Sequence, residues 1–129
     1  MQLILKIPLM NTTDFLSQLP AMTRELPFAI TVCDTDAIIL YMNDRSISTF
    51  QKYGGAEIIG TNLFLYHQGP SAEKLRELLD KATTNAYTIE KNGIKKLIYQ
   101  SPWYKDGEFA GLIELSLEIP VEMPHFVRG

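Results

Sequence analysis

YTIEKNGIKKLIYQSPWYKDGEFAGLIELSLEI, residues 87–119, is the stretch that decides the fold. It holds three runs rich in β-branched and aromatic residues: Tyr87 to Lys91, Ile94 to Tyr104 and Phe109 to Ile119. Asn92-Gly93 and Asp106-Gly107 separate them. These two dipeptides suit a type I′ turn, because both central residues of that turn need positive φ. Two such links in succession predict a three-stranded antiparallel meander.

Working towards the amino terminus, Phe28 to Cys33 and Ala37 to Met42 are apolar runs on either side of the turn Asp34-Thr35-Asp36, which predicts a first hairpin. The intervening chain reads as helical. Asn43-Asp44 caps a helix with Ile47, Phe50 and Tyr53 on one face, and Gly54-Gly55 ends it. Ala56 to Gly60 is one further turn, and Thr61 to Gln68 is an aromatic connector. Gly69-Pro70-Ser71 opens the strongest helix, whose apolar positions are Leu75, Leu78, Leu79 and Ala82. Ahead of the hairpin, Asn11-Thr12-Thr13 supplies capping oxygens for a short amphipathic segment ending near Leu19. Pro20 either closes that segment or opens another through Arg24 and Glu25. An α+β domain with one antiparallel sheet and helices on one face buries this order most simply. The expected organisation is an N-terminal arm or helical cap at 1–27, a folded domain at 28–119 and a loose tail at 120–129.

The whole chain has 129 residues, 46% apolar and 21% charged, which is one domain. At that size roughly two-thirds of the unfolded surface is buried on folding, so no staple is needed. Twelve Lys and Arg against fifteen Asp and Glu leave a net charge of −3, with no basic excess for nucleic acid. A single cysteine, Cys33, forms no internal disulfide and points to a reducing compartment. No apolar run approaches the ~20 residues of a membrane span. The start Met1 to Pro8 resembles a signal sequence superficially, but Lys6 sits inside its apolar run and no small-residue cleavage site follows. The expectation is a cytoplasmic protein without membrane contact.

Several phrases resemble the Per-Arnt-Sim (PAS) domain family over about residues 22–119. Leu26-Pro27-Phe28-Ala29-Ile30-Thr31-Val32-Cys33-Asp34 is similar to the family's first strand, and Ile38-Ile39-Leu40-Tyr41-Met42-Asn43 to its second, with the asparagine capping the next helix. Glu57-Ile58-Ile59-Gly60-Thr61-Asn62 resembles the family's E-x-I/L-I/V-G-K/R phrase, with threonine in the basic position. The resemblance implies a five-stranded antiparallel sheet in the order 2-1-5-4-3 and a sensory or docking role without catalysis. It also bears on cofactors. Gly60 to Tyr66 is similar to the loop that carries the reactive cysteine of light-oxygen-voltage members, and Leu63 stands in the cysteine's place. Thioether-forming flavin photochemistry is therefore argued against. Haem ligation by a histidine on the longest helix is too, since Ser71 to Thr83 contains none. The cofactor is left unknown.

Strand alternation separates two sheet faces. Phe109, Ile113, Leu115, Leu117 and Ile119 share one, and Ala110, Leu112, Glu114, Ser116 and Glu118 the other. In the preceding strand Leu97, Tyr99, Ser101 and Trp103 oppose Ile98, Gln100 and Tyr104. Alternation alone would leave the mixed face in solvent. The resemblance reverses this and turns Ile98, Gln100, Leu112, Glu114 and Ser116 towards the helices. Tyr99, Trp103, Ile113 and Leu115 would then form an outer apolar face needing cover, from Leu16, Leu19 and Met22 of the arm, from a second subunit, or from both. The expected state is a homodimer.

An inward Glu114 must be paired, protonated or bound to a polar ligand. It pairs with Lys96 across the strands, reaches the sheet end and water, or anchors a ligand in a small cavity with Tyr66, His67, Ile98, Gln100 and Ser116. Cys33 reads as a small buried hydrophobe. No G-x-S-x-G, P-loop, H-E-x-x-H or C-x-x-C occurs. The function expected is a non-catalytic sensory module that signals by docking to a separate signalling protein, since the length leaves no room for an output domain. The alternative is a small ligand-modifying enzyme using Glu114 and His67 as acid and base.

Overall fold

A computed structural model of the chain describes residues 11–129. The signal-like start and the first ten residues of the expected arm lie outside the described residues. Two short helices, α1 (Thr12–Ser17) and α2 (Leu19–Arg24), precede strand β1 (Ala29–Asp34). Pro20 sits in the first turn of α2, so it opens a helix and does not end one. Then follow β2 (Ile39–Met42), α3 (Asp44–Thr49), α4 (Pro70–Lys81), β3 (Asn85–Lys91), β4 (Ile94–Lys105) and β5 (Glu108–Glu118). The strands form one antiparallel sheet in the order β2-β1-β5-β4-β3, as expected.

Local chemistry explains the corners. Asn92 and Gly93 have φ of 54° and 78°, and Asp106 and Gly107 have 50° and 81°, the paired positive values of a type I′ turn. Between β1 and β2, Asp34 Oδ1 accepts from the amides of Asp36 and Ile38, both at 2.9 Å. Between α3 and α4 the chain is less regular than the sequence suggests. The helix from Asp44 stops at Thr49 and gives way to single 3-10 turns at Gln51–Tyr53, Gly55–Ile58 and Leu63–Tyr66. Gly54 and Gly55, at φ of 121° and 58°, turn the chain back at the first of these breaks.

The core lies between one sheet face and the helical segment. Cys33, Ile39, Met42 and Leu112 of the strands pack with Ile58, Leu63, Leu75 and Leu78. The Leu75 and Leu78 pair is the buried stripe of α4. The opposite, outer face carries Tyr99, Ile113, Leu115 and Trp103. The Trp103 indole N–H reaches across β5 to the backbone oxygen of Cys33 at 3.0 Å. Leu16, Leu19 and Met22 are all exposed within one chain, Leu16 by 59%. α2 is tied at the corner of β2 and α3, where Thr23 Oγ1 bonds Tyr41 Oη at 2.9 Å and Arg24 lies 3.5 Å from Asp44. Residues 120–129 have no helix or strand. No helix among the described residues is long and apolar enough to cross a membrane.

Candidate functional site

Strand register aligns a polar row across the inner face. Thr31 of β1 stands opposite Glu114 of β5, Glu114 opposite Gln100 of β4, and Gln100 opposite Asn85 of β3. Asn85 Nδ2 donates to Gln100 Oε1 at 2.8 Å, and Gln100 Nε2 donates to Glu114 Oε2 at 3.3 Å. Thr31 turns instead to the buried Ser46 hydroxyl on α3.

A cavity of about 510 Å³ lies over this row, a volume in the range of small-molecule sites. Its floor is Thr31, Cys33, Leu112, Glu114, Gln100, Asn85 and Tyr87 from the sheet. Its roof is Phe50, Leu63, His67 and the first turns of α4 with Ser71, Lys74 and Leu75. A second void of about 190 Å³ shares Thr31, Phe50, Tyr87 and Glu114 and continues to Ile98, Ser116 and Lys96. Glu114 therefore sits where the two spaces meet.

Of the residues expected at the site, His67, Gln100 and Glu114 line the larger cavity. Ile98 and Ser116 line the smaller void. Tyr66 is a correction, for it lines neither. Its hydroxyl pairs with Thr61 Oγ1 at 2.7 Å and its ring lies 5.1 Å from that of Tyr53, where it packs against the core rather than the cavity. Ile113, expected only on the outer face, also borders the larger cavity. Asn85, Tyr87, Ser71 and Lys74 were not anticipated. Counting back from the Asn92-Gly93 turn puts Asn85 opposite Gln100, so register was the signal that would have found it.

The alternative pairing of Glu114 with Lys96 is not formed. Among the described residues no cation lies within ion-pair distance of Glu114, and Lys96 stands opposite Glu118. Burial pushes the Glu114 carboxyl above its ordinary value, against smaller downward pulls from the Gln100 hydrogen bond and the His67 ring. His67 Nδ1 lies 2.9 Å from the Leu63 carbonyl oxygen, which only accepts, so Nδ1 carries the proton of that hydrogen bond. Burial likewise raises the Cys33 thiol, keeping it protonated rather than a reactive thiolate.

A titration test follows from the sign of the Glu114 shift. A carboxyl raised in the folded state contributes stability below its unfolded value, near 4.5, and that contribution is lost as pH rises through the folded value. Glu114→Gln should match wild type in melting temperature at acidic pH and exceed it at pH 7–8. The expected gain is about 1 kcal/mol, roughly 4 °C. A difference that stays constant with pH, or a loss at neutral pH, would contradict the burial account.

Comparison with known proteins matches the chain to the PAS fold family over residues 23–120. Comparison with curated proteins finds no match. Among solved structures, the chain is similar to a C-terminal domain from Streptococcus mutans at 20% identity and TM-score 0.64, covering 80% of this chain and 84% of that one. It is similar to the PAS domain of an HTR-like protein from Haloarcula marismortui at 19% identity and TM-score 0.58, covering 83% and 93%. The PAS domain of Bordetella pertussis BvgS gives 21% identity and TM-score 0.57, covering 83% and 88%. With the sheet order, the helical roof and a family match spanning most of its length, the chain belongs to the PAS fold family.

Proposed function

We propose that the protein is a non-catalytic sensory module that takes a small molecule into the cavity beneath α4 and signals its occupancy through docking as a homodimer. PAS domains are sensory modules in signalling proteins. The observation that carries the ligand-binding part is the cavity of about 510 Å³, apolar on most of its wall and crossed by one polar row. A site of that shape fits a small ligand by area and orients it by a few polar atoms.

Occupancy is transmitted only as far as a ligand prefers one arrangement of the domain over another. The connection on hand is Asn43, which bonds β1 and the Thr23 carbonyl of α2 at once. The exposed Leu16, Leu19 and Met22, with Tyr99, Trp103, Ile113 and Leu115 of the outer face, supply the apolar surface for a twin molecule or a separate signalling protein. Two structures of similar fold are in keeping with this reading. VqmA bound to DPO is 16% identical with a TM-score of 0.60, covering 82% of this chain and 58% of that one. Vibrio cholerae VqmA is also described as a dimer, at a TM-score of 0.55.

Native mass spectrometry of freshly purified protein tests both parts at once. The expected spectrum shows a dimer whose mass exceeds twice the chain by a small passenger that denaturing conditions release. A monomer without a passenger, and with no mass added by a metabolite extract, would refute the proposal.

A further inference from the structure

Glu114 is the single carboxylate among the residues lining the cavity. On the donor side, Asn85 Nδ2 and Gln100 Nε2 each spend one N–H within the polar row and keep a second, and Ser71 Oγ donates to the Gln68 carbonyl at 3.0 Å. Thr31 and Ser46 satisfy one another. Lys74, the cation on the wall, lies 3.1 Å from Glu77 with half its side chain in solvent, so its charge is matched at the mouth. On the acceptor side, Glu114 Oε1 has no hydrogen-bond partner among the described residues. Glu114 forms no ion pair among the described residues, and of the charged groups only the His67 ring exerts a weak downward pull on it. A buried carboxylate in that position favours a ligand that donates and carries positive charge. Phe50 and Tyr87 add aromatic surface of the kind that attracts cations.

We infer that the cavity is selective for a compact, mainly apolar molecule with a protonated amine head, seated with its N–H groups on Glu114 Oε1. This rests on the sensory reading above and names the chemistry of its ligand. The apolar body lies against Leu63, Leu75, Leu112 and Phe50. The groups that modulate the contact are Cys33 from β1, Tyr87 from β3, His67 ahead of α4, Lys74 of α4 and Lys96 of β4 beyond the adjoining void. Burial disfavours the charged form of Glu114, so an amine that binds the carboxylate binds more tightly as pH rises.

Three indoles of nearly equal size separate the possibilities: tryptamine, a cation; tryptophol, neutral; and indole-3-acetate, an anion. Their affinities for the full chain are measured by amide NMR titration, with Glu114→Gln alongside. Tryptamine should bind at least tenfold more tightly than either of the others. Glu114→Gln should remove that preference while leaving tryptophol within about twofold, and the wild-type preference should shrink as pH is lowered. Equal or stronger binding of tryptophol or indole-3-acetate at the cavity amides, or a tryptamine preference that survives Glu114→Gln, overturns the amine selectivity and leaves the sensory reading standing. Absence of any shift at the Cys33, Leu63 and Leu112 amides with all three probes at millimolar concentration overturns both.

Discussion

Asn43→Ala is expected to cost about 3–5 kcal/mol, a large part of the roughly 5–15 kcal/mol by which a domain of this size is stable. Asn43 is fully buried and both ends of its amide are engaged. Its Oδ1 accepts from the amide of Ile30 at 2.9 Å and from that of Ser46 at 3.1 Å. Its Nδ2 donates to the carbonyls of Phe28 at 2.8 Å and Thr23 at 3.1 Å. Alanine removes the α3 cap, worth about 1 kcal/mol. It also strands the buried Ile30 amide and Phe28 carbonyl, at about 1–3 kcal/mol each. Urea titration should show the midpoint falling with little change in slope. Because Thr23 belongs to α2, hydrogen exchange should also speed up across Leu19–Arg24 beyond what the global loss accounts for. Asn43→Ser restores an acceptor for Ser46 and should recover about 1 kcal/mol, without restoring protection in α2. A loss below about 1 kcal/mol, or exchange in α2 that merely tracks global stability, would remove Asn43 from the connection between sheet and arm.

That role shows where sequence reading stopped. Asn43 is legible as a helix cap because its partner Ser46 is three residues away. Its bonds to Thr23 and Phe28 depend on how distant pieces of chain come together, and no local pattern encodes them. The sheet was legible for the converse reason, since each meander turn is a two-residue signal with its own backbone requirement. Which residues share a face was not legible from the turns alone. Lys105 pairs with Glu108 and Tyr104 with Phe109, a register that would set Gln100 opposite Ile113. A bulge between Trp103 and Tyr104 leaves Ala110 as the extra residue, and Gln100 comes to face Glu114. One residue of slip exchanges the two faces, so the polar row depended on the family resemblance and not on alternation. Tyr66 was misplaced because it lies in a 3-10 turn, where neither strand nor helix periodicity says which way a side chain points.

The seam between β1 and β5 carries the other large effect. Gly111→Ala should abolish folding or cost at least about 4 kcal/mol, because the new methyl group has nowhere to go. A Cβ at Gly111 would lie 1.9 Å from the Cys33 carbonyl oxygen and 2.8 Å from the Asp34 Cα, both backbone atoms that cannot rotate aside. The φ of 143° at Gly111 adds strain of about 1–3 kcal/mol for any residue with a side chain. Relief requires β1 to move away from β5, which breaks the pairing of Thr31 with Glu114 and of Cys33 with Leu112 that forms the cavity floor. It also pulls the Cys33 carbonyl from the Trp103 indole, and Trp103 is the single tryptophan of the chain. Fluorescence therefore reports the seam directly, and surviving Gly111→Ala protein should emit at longer wavelength than wild type. Gly60→Ala is the control. Gly60 also has positive φ, 91°, yet nothing lies within 4 Å of the place its methyl group would take, so only backbone strain of about 1–2 kcal/mol is expected there. Were Gly111→Ala no worse than Gly60→Ala, with Trp103 emission unchanged, β1 and β5 could not approach as closely as the polar row and the cavity above it require.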